Sequence, residues 1–174
     1  MMPEREKLIV KMLGDIFYDV VPKERATYCV KDSAICVRVL KHFGVHAEIQ
    51  NCQLWCLTND QNYAIGFLGK PPTEGKWDGH AICRTKSFFV DCASFHLKTQ
   101  FNIEVPLVIV GRIFQIPSQI IARCDLPNDS HLLWLYPPPR APKRQPIHPL
   151  IRIKYFADEI IRRMEQKMRS DAVQ

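Results

Sequence analysis

The stretch CVKDSAICVRVLKHFGVHA, running from Cys29 to Ala47, decides how the chain is read. Its apolar positions Val30, Ala34, Ile35, Val37, Val39, Leu40 and Phe43 go round most of a helical circumference instead of marking one stripe. A helix apolar on most sides belongs in the middle of a fold. It is expected over about Tyr28 to Phe43, with Thr27 as candidate N-cap and Gly44 just past its C-terminus, where glycine suits a left-handed turn. Cys29 is then a thiol at the start of a buried helix. Unpaired backbone N–H groups and the helix dipole favour a thiolate there, and the same N–H groups can hold an oxyanion.

Upstream, residues 4–21 read as an amphipathic helix, because Leu8, Met12, Ile16 and Val20 recur every four positions, and Pro22 ends it. Downstream the pattern changes to strands. Val45–Leu57 is one, and His80–Thr85 and Ser87–Asp91 form a hairpin around Lys86. Further strands are expected over Phe101–Val105, Leu107–Phe114 and His131–Tyr136, while Ser118–Arg123 reads equally as a helical turn or a strand. Thr58–Gly79 carries turn residues and no period, and a loop of that length in a compact domain is a candidate cover for a site.

After Tyr136 the chain becomes Pro-rich and basic over 137–149, an extended connector. A closing amphipathic helix follows over 150–169, with Ile153, Phe156, Ile160, Ile161, Met164 and Met168 as its stripe. The expected organisation is one α+β domain over 1–136, then the connector and the closing helix. Its centre is the Cys-bearing helix packed on an antiparallel β-sheet, flanked by the N- and C-terminal helices.

At 174 residues, 47% hydrophobic and 24% charged, the chain has the composition of a single core-bearing domain. No apolar run approaches the roughly 18 residues of a membrane span. The charged start lacks the apolar core of a signal peptide, so a cytoplasmic location is expected. Seven cysteines, an odd number at irregular spacing, point to free thiols and not to a disulfide framework. Cys52 and Cys56 have no second pair at zinc-ligand spacing and are read as small apolar strand residues; no metal or organic cofactor is implied. Residues 140–174 hold +5 of the net charge of +6, which is read as the solvated face of the closing helix. Nucleic-acid binding is not expected, because that segment carries no base-stacking or DNA-binding pattern.

A thiol nucleophile needs a base within hydrogen-bond reach, and the base needs an orienting acceptor. His80 opens one strand of the hairpin and Asp91 closes the next, so neighbouring antiparallel strands can bring them side by side. Alone, His80 would be a satisfied strand histidine and Asp91 a strand-end turn residue; with Cys29 they make a set. His42, His46 and His96 are assigned ordinary surface or turn roles, and Cys36, two turns beyond Cys29, packing. An additional oxyanion or substrate-binding donor is sought among Gln50, Asn51, Gln53 and Trp55, or at Trp77. Gln53, Trp55 and Trp77 are carried forward, although strand parity is not set by sequence.

These blocks resemble the transglutaminase-like core of the papain-related cysteine enzymes. In that core a nucleophilic Cys is followed by an apolar helix, a Leu and a basic residue, then Gly, Ile or Val, and Ala two residues later. Leu40, Lys41, Gly44, Val45 and Ala47 stand at those offsets from Cys29. Gly79-His80-Ala81-Ile82 resembles the family's His-Ala strand, and Phe88-Phe89-Val90-Asp91 its hydrophobic strand ending in Asp. The resemblance covers about residues 27–95. Ile82 stands where the family usually has an aromatic, and 26–28 lack its common glycine. Arylamine N-acetyltransferases share the Cys-His-Asp logic, but their Arg-Gly-Gly-x-Cys signature is absent.

The resemblance implies acyl transfer from a peptide or amide through a Cys29 thioester, with hydrolysis ahead of transfer to an amine. His80 would take the thiol proton and return one to the leaving group, and Asp91 would orient the ring. The alternative is a catalytically inactive adaptor that binds a partner through its basic C-terminal helix. The stripe of that helix could also seat a second copy of the chain.

Overall fold

In the computed structural model the described residues are 3–25, 28–67, 78–114, 119–127, 129–141, 143 and 150–171. Helix α1 runs Pro3–Val20 and α2 runs Cys29–His42. Strands β1 (Glu48–Leu57), β2 (Asn62–Ile65), β3 (His80–Arg84) and β4 (Phe88–Asp91) follow, then the short helix α3 (His96–Phe101). Strands β5 (Ile109–Arg112), β6 (Ile120–Asp125) and β7 (His131–Leu135) precede the closing helix α4 (Leu150–Asp171).

Both ends of α2 have local causes. At its C-terminus Gly44 adopts φ +72°, its N–H bonds Lys41 O at 3.0 Å, and the Val45 N–H bonds Leu40 O at 2.9 Å. That pair of bonds is a Schellman motif, and the left-handed turn is why glycine stands there. At its N-terminus Tyr28 occupies the cap position and supplies no side-chain cap. Thr27, the expected cap, lies outside the described residues.

All strand pairs are antiparallel, in the order β5-β4-β3-β1-β7-β6. β1 serves two neighbourhoods. Its first half pairs with β3, from Glu48–Arg84 to Cys52–His80. Its second half pairs with β7 on one edge, and with β2 where β3 has ended. The Phe114 N–H reaches Ile121 O at 2.8 Å, joining the end of β5 to β6, so the sheet curls almost into a barrel. Cys52, Leu54, Cys56, Ile82, Phe89, Leu132 and Trp134 pack within the curl. A second core lies between the sheet and helices α1, α2 and α4, built from Leu13, Phe17, Ile35, Val39, Val90 and Met164 among others. Glu6 on α1 pins that layer to the β3–β4 turn: Thr85 Oγ1 donates to it, and so does the Ser87 N–H at 3.1 Å.

The α+β class, the Cys-bearing helix on an antiparallel sheet and the flanking helices agree with the sequence reading. Of Ser118–Arg123, left open between helix and strand, residues 120–123 lie on β6. Two segments differ. The expected strand over Phe101–Val105 is instead the end of α3 followed by chain without a ladder partner. Leu97 is buried and Asn102 turns left-handed at φ +57° to stop the helix, and six residues are too few to show a helical period. Inside the expected loop 58–79, residues 62–65 form β2, while 68–77 lie outside the described residues. On α4, Ile153, Ala157, Ile160 and Met164 are buried in the core shared with α1 and α2, so their burial needs no second subunit. The connector 137–149 lies mostly outside the described residues. Among those described, no helix is long and apolar enough to cross a membrane.

Candidate active site

Cys29 is the first residue of α2, His80 the first of β3 and Asp91 the last of β4, and the three meet where α2 abuts the sheet. Small side chains make the approach possible: Cys29 packs on Ala81 and Ala93, with Val30 and Ile49 beside them. On the β3–β4 ladder Cys83 opposes Val90, so His80 and Asp91 are diagonal neighbours on one face. His80 Nε2 lies 2.8 Å from Asp91 Oδ2, and both side chains are fully enclosed.

An ionised carboxylate only accepts, so Nε2 carries the proton toward Asp91 and Nδ1 is the basic nitrogen left for the thiol. Asp91 has two further donors, Trp134 Nε1 on Oδ2 and the Ala93 N–H on Oδ1, each at 2.8 Å. Burial opposes its charge, but His80, Ala93 and Trp134 hold the carboxyl below its usual range. Burial likewise opposes a charged His80; the Asp91 charge and hydrogen bond, with Cys29 behind them, outweigh it and raise the ring to about 10.

The thiol is shifted the opposite way. Burial works against its ionisation, but hydrogen bonding to His80 and His96, with the attraction of both rings, lowers Cys29 to about 6. The match is loose: His80 Nδ1 is buried with no aligned hydrogen bond among the described residues. Catalytic hydrogen bonds commonly tighten only around the reacting group. Cys52, Cys56, Cys83, Cys92 and Cys124 are all pushed upward, chiefly by burial. Cys52 and Cys56 point into the curl of the sheet among apolar side chains. Cys36 packs in the helical core with its Sγ 3.6 Å from that of Cys92.

Three assignments change. His96, read as a surface or turn residue, is half-buried at the start of α3, its ring centroid 6.2 Å from that of His80. Gln53 is unsuited to an oxyanion, because its Nε2 donates to Gly66 O at 3.0 Å and Phe67 O at 3.3 Å. It ties β1 to Gly66 and Phe67, the two residues that follow β2. Trp55 shares the face of Ile49 and Asn51 but lies roughly 13 Å beyond Asn51 along the strand. On that face Asn51 stands directly opposite Ala81, which packs on Cys29, and its Oδ1 is buried without a partner among the described residues. Trp77 lies outside the described residues.

Trp134 had no local signal, being 43 residues from the aspartate it serves. His42 is exposed and pairs with Glu165 at 2.9 Å, and His46 is exposed, as read from sequence. A groove of about 460 Å³ between α1 and β5, lined by Lys7, Lys11, Phe88, Val110 and Arg112 among others, includes none of Cys29, His80, Asp91 and His96. Among the described residues no group of three His, Cys, Asp or Glu side chains could hold a metal ion. Comparison with known proteins gives no matching family model, curated sequence or solved structure.

Proposed function

We propose that the protein is a cysteine-dependent acyl-transfer enzyme of the transglutaminase-like kind, hydrolysing an amide or peptide bond through a thioester at Cys29. The observation that carries this reading is the convergence of Cys29, at the start of α2, with His80, whose Nε2 lies 2.8 Å from Asp91 Oδ2; in that setting the thiol is lowered to about 6 and the ring raised to about 10. With those values the thiolate–imidazolium pair is populated at neutral pH. A thiolate is the form that attacks a carbonyl. Upward shifts at five of the other thiols argue against a general property of buried cysteines in this fold.

In the reaction the Cys29 sulfur adds to the carbonyl carbon, and the oxyanion sits against the N-terminal backbone N–H groups of α2. The C–N bond breaks as nitrogen receives a proton, the amine leaves, and water hydrolyses the thioester to return the thiolate. Asp91 stays ionised and orients the His80 ring. Hydrolysis is preferred to transfer because water needs no dedicated acceptor site, whereas an amine acceptor must be protected from its competition. An adaptor has no need of a poised thiol, so the surroundings of Cys29 favour the enzyme.

The test is acylation by p-nitrophenyl acetate followed by peptide mass analysis. An acetyl group on Cys29, absent from Cys29→Ala and strongly reduced in His80→Ala, supports the reading. Acetylation spread over other thiols with Cys29 untouched contradicts it.

A further inference from the structure

The Cys-His-Asp set leaves one neighbour of the thiol unused. His80 is fully buried and its Nε2 is committed to Asp91, so it is a well-held counter-ion but an enclosed one. His96 approaches the same thiol from a different element and is only half-buried. Its ring stands edge-on to His80, with centroids 6.2 Å apart and planes at 83°.

The placement is built in. Asp91 Oδ1 accepts the Ala93 N–H at 2.8 Å, Ala93 packs on Cys29, and Ala93 O accepts the His96 N–H at 3.2 Å. Leu97, fully buried, anchors the next position. The carboxylate that orients His80 therefore also fixes the backbone that carries His96. Among the described residues, the ionisable groups acting on the thiol are His80 from β3 and His96 from α3, with Asp91 of β4 behind His80 and Cys52 of β1 near both Cys29 and Asp91.

We propose that His96 is a second catalytic imidazole, which exchanges protons with the departing and entering groups while His80 remains the counter-ion of Cys29. This rests on the acyl-transfer reading above. As the C–N bond of the tetrahedral adduct breaks, the leaving nitrogen takes the proton of the His96 imidazolium and departs as amine. Neutral His96 then removes a proton from water, whose oxygen bonds the thioester carbon. The C–S bond breaks and Cys29 leaves as thiolate, paired with His80. The sum is amide plus water giving acid plus amine, with both rings restored. The arrangement suits unactivated amides, whose nitrogen must be protonated to leave, more than esters of acidic alcohols.

The experiment follows the acetyl group that p-nitrophenyl acetate places on Cys29. Its phenolate leaves without a proton, so formation of the adduct does not need His96, whereas hydrolysis of the adduct does. In His96→Gln, acetyl-Cys29 is expected to form within a few-fold of the wild-type rate. It should then persist roughly 100-fold longer, the scale of a lost general base, and its decay should lose the wild-type pH dependence. His96→Asn, compared by circular dichroism, serves if the first variant does not fold. Decay at the wild-type rate with the wild-type pH profile overturns the proposal. Acetylation slowed by far more than a few-fold, with the adduct that does form decaying at the wild-type rate, would assign His96 only to holding the thiolate, and also overturns it. Failure of wild-type Cys29 to acetylate at all removes the underlying reading instead, and is told apart by needing no variant.

Discussion

Trp134 and His80 share one oxygen: the indole Nε1 and the imidazole Nε2 each lie 2.8 Å from Asp91 Oδ2. Trp134 is fully buried on β7, its ring 4.6 Å from Phe89, so a residue of the sheet's interior fixes the carboxylate that orients the histidine. Trp134→Phe keeps most of that packing and removes one hydrogen bond to a charged group, which costs about 1.5–3 kcal/mol. Denaturant unfolding should show that loss, and alkylation of Cys29 at pH 7 should slow by only a few-fold, since the His80–Asp91 bond survives.

Asp91→Asn removes the charge that raises His80. The ring should fall from about 10, and Cys29, losing its cationic neighbour, should rise from about 6. That rise lowers the thiolate fraction at pH 6, so alkylation there should slow several-fold. The folded-state carboxyl is held below its ordinary 3.8, so it contributes stability above that pH and loses it as pH falls. The variant should lack that part of the acid limb in an unfolding-versus-pH series, while being less stable at neutral pH. An acid limb identical to wild type would show that the carboxylate is not held as described.

Gly66 stands directly behind the histidine. It adopts φ +90°, and a Cβ there would lie 2.9 Å from the His80 backbone nitrogen. Gly66→Ala therefore combines backbone strain with a push on His80, on the order of 1–3 kcal/mol for the strain alone. Slower Cys29 alkylation in a folded Gly66→Ala protein is expected. Gln53→Ala, which releases Gly66 and Phe67 without crowding His80, should have the smaller effect.

Met164 on α4 is fully buried in the core shared with α1 and α2. Met164→Ala should cost about 2–5 kcal/mol. Because the residue is remote from the thiol, folded protein should label at the wild-type rate. A chain ending at Arg140 loses Ile153, Ile160 and Met164 together, at about 1.5–3 kcal/mol each, comparable with a whole domain's stability. It should be unfolded or strongly destabilised by circular dichroism. Altered Cys29 labelling in folded Met164→Ala would mean that α4 helps to shape the site.

The parts legible in the sequence were those whose causes are local. The buried circumference of α2, the glycine that ends it, and the hairpin holding His80 and Asp91 all lie within contiguous patterns. His96 was missed because a six-residue helix shows no period, and Phe101, Ile103 and Val105 have the composition of a strand. β2 was hidden because four residues stand among turn signals. Trp134 meets Asp91 only through the curl of the sheet. Gln53 and Asn51 share a face, so parity does not rank them; the β1–β3 register does, by setting Asn51 opposite Ala81 and leaving Gln53 beyond the end of that pairing.

The most direct measurement is thiol alkylation by limiting iodoacetamide across pH 5–9, read by intact mass and peptide mapping in wild type and Cys29→Ala. Expected is a first adduct on Cys29, with a rate rising through about pH 6, because reactivity follows the thiolate fraction of a thiol held at about 6. Cys29→Ala should lose that fast adduct, and the remaining thiols, five of them shifted upward, should label only as pH rises further. First labelling at Cys124, the half-exposed thiol, with Cys29 inert up to pH 9, would contradict the assignment of Cys29 as nucleophile.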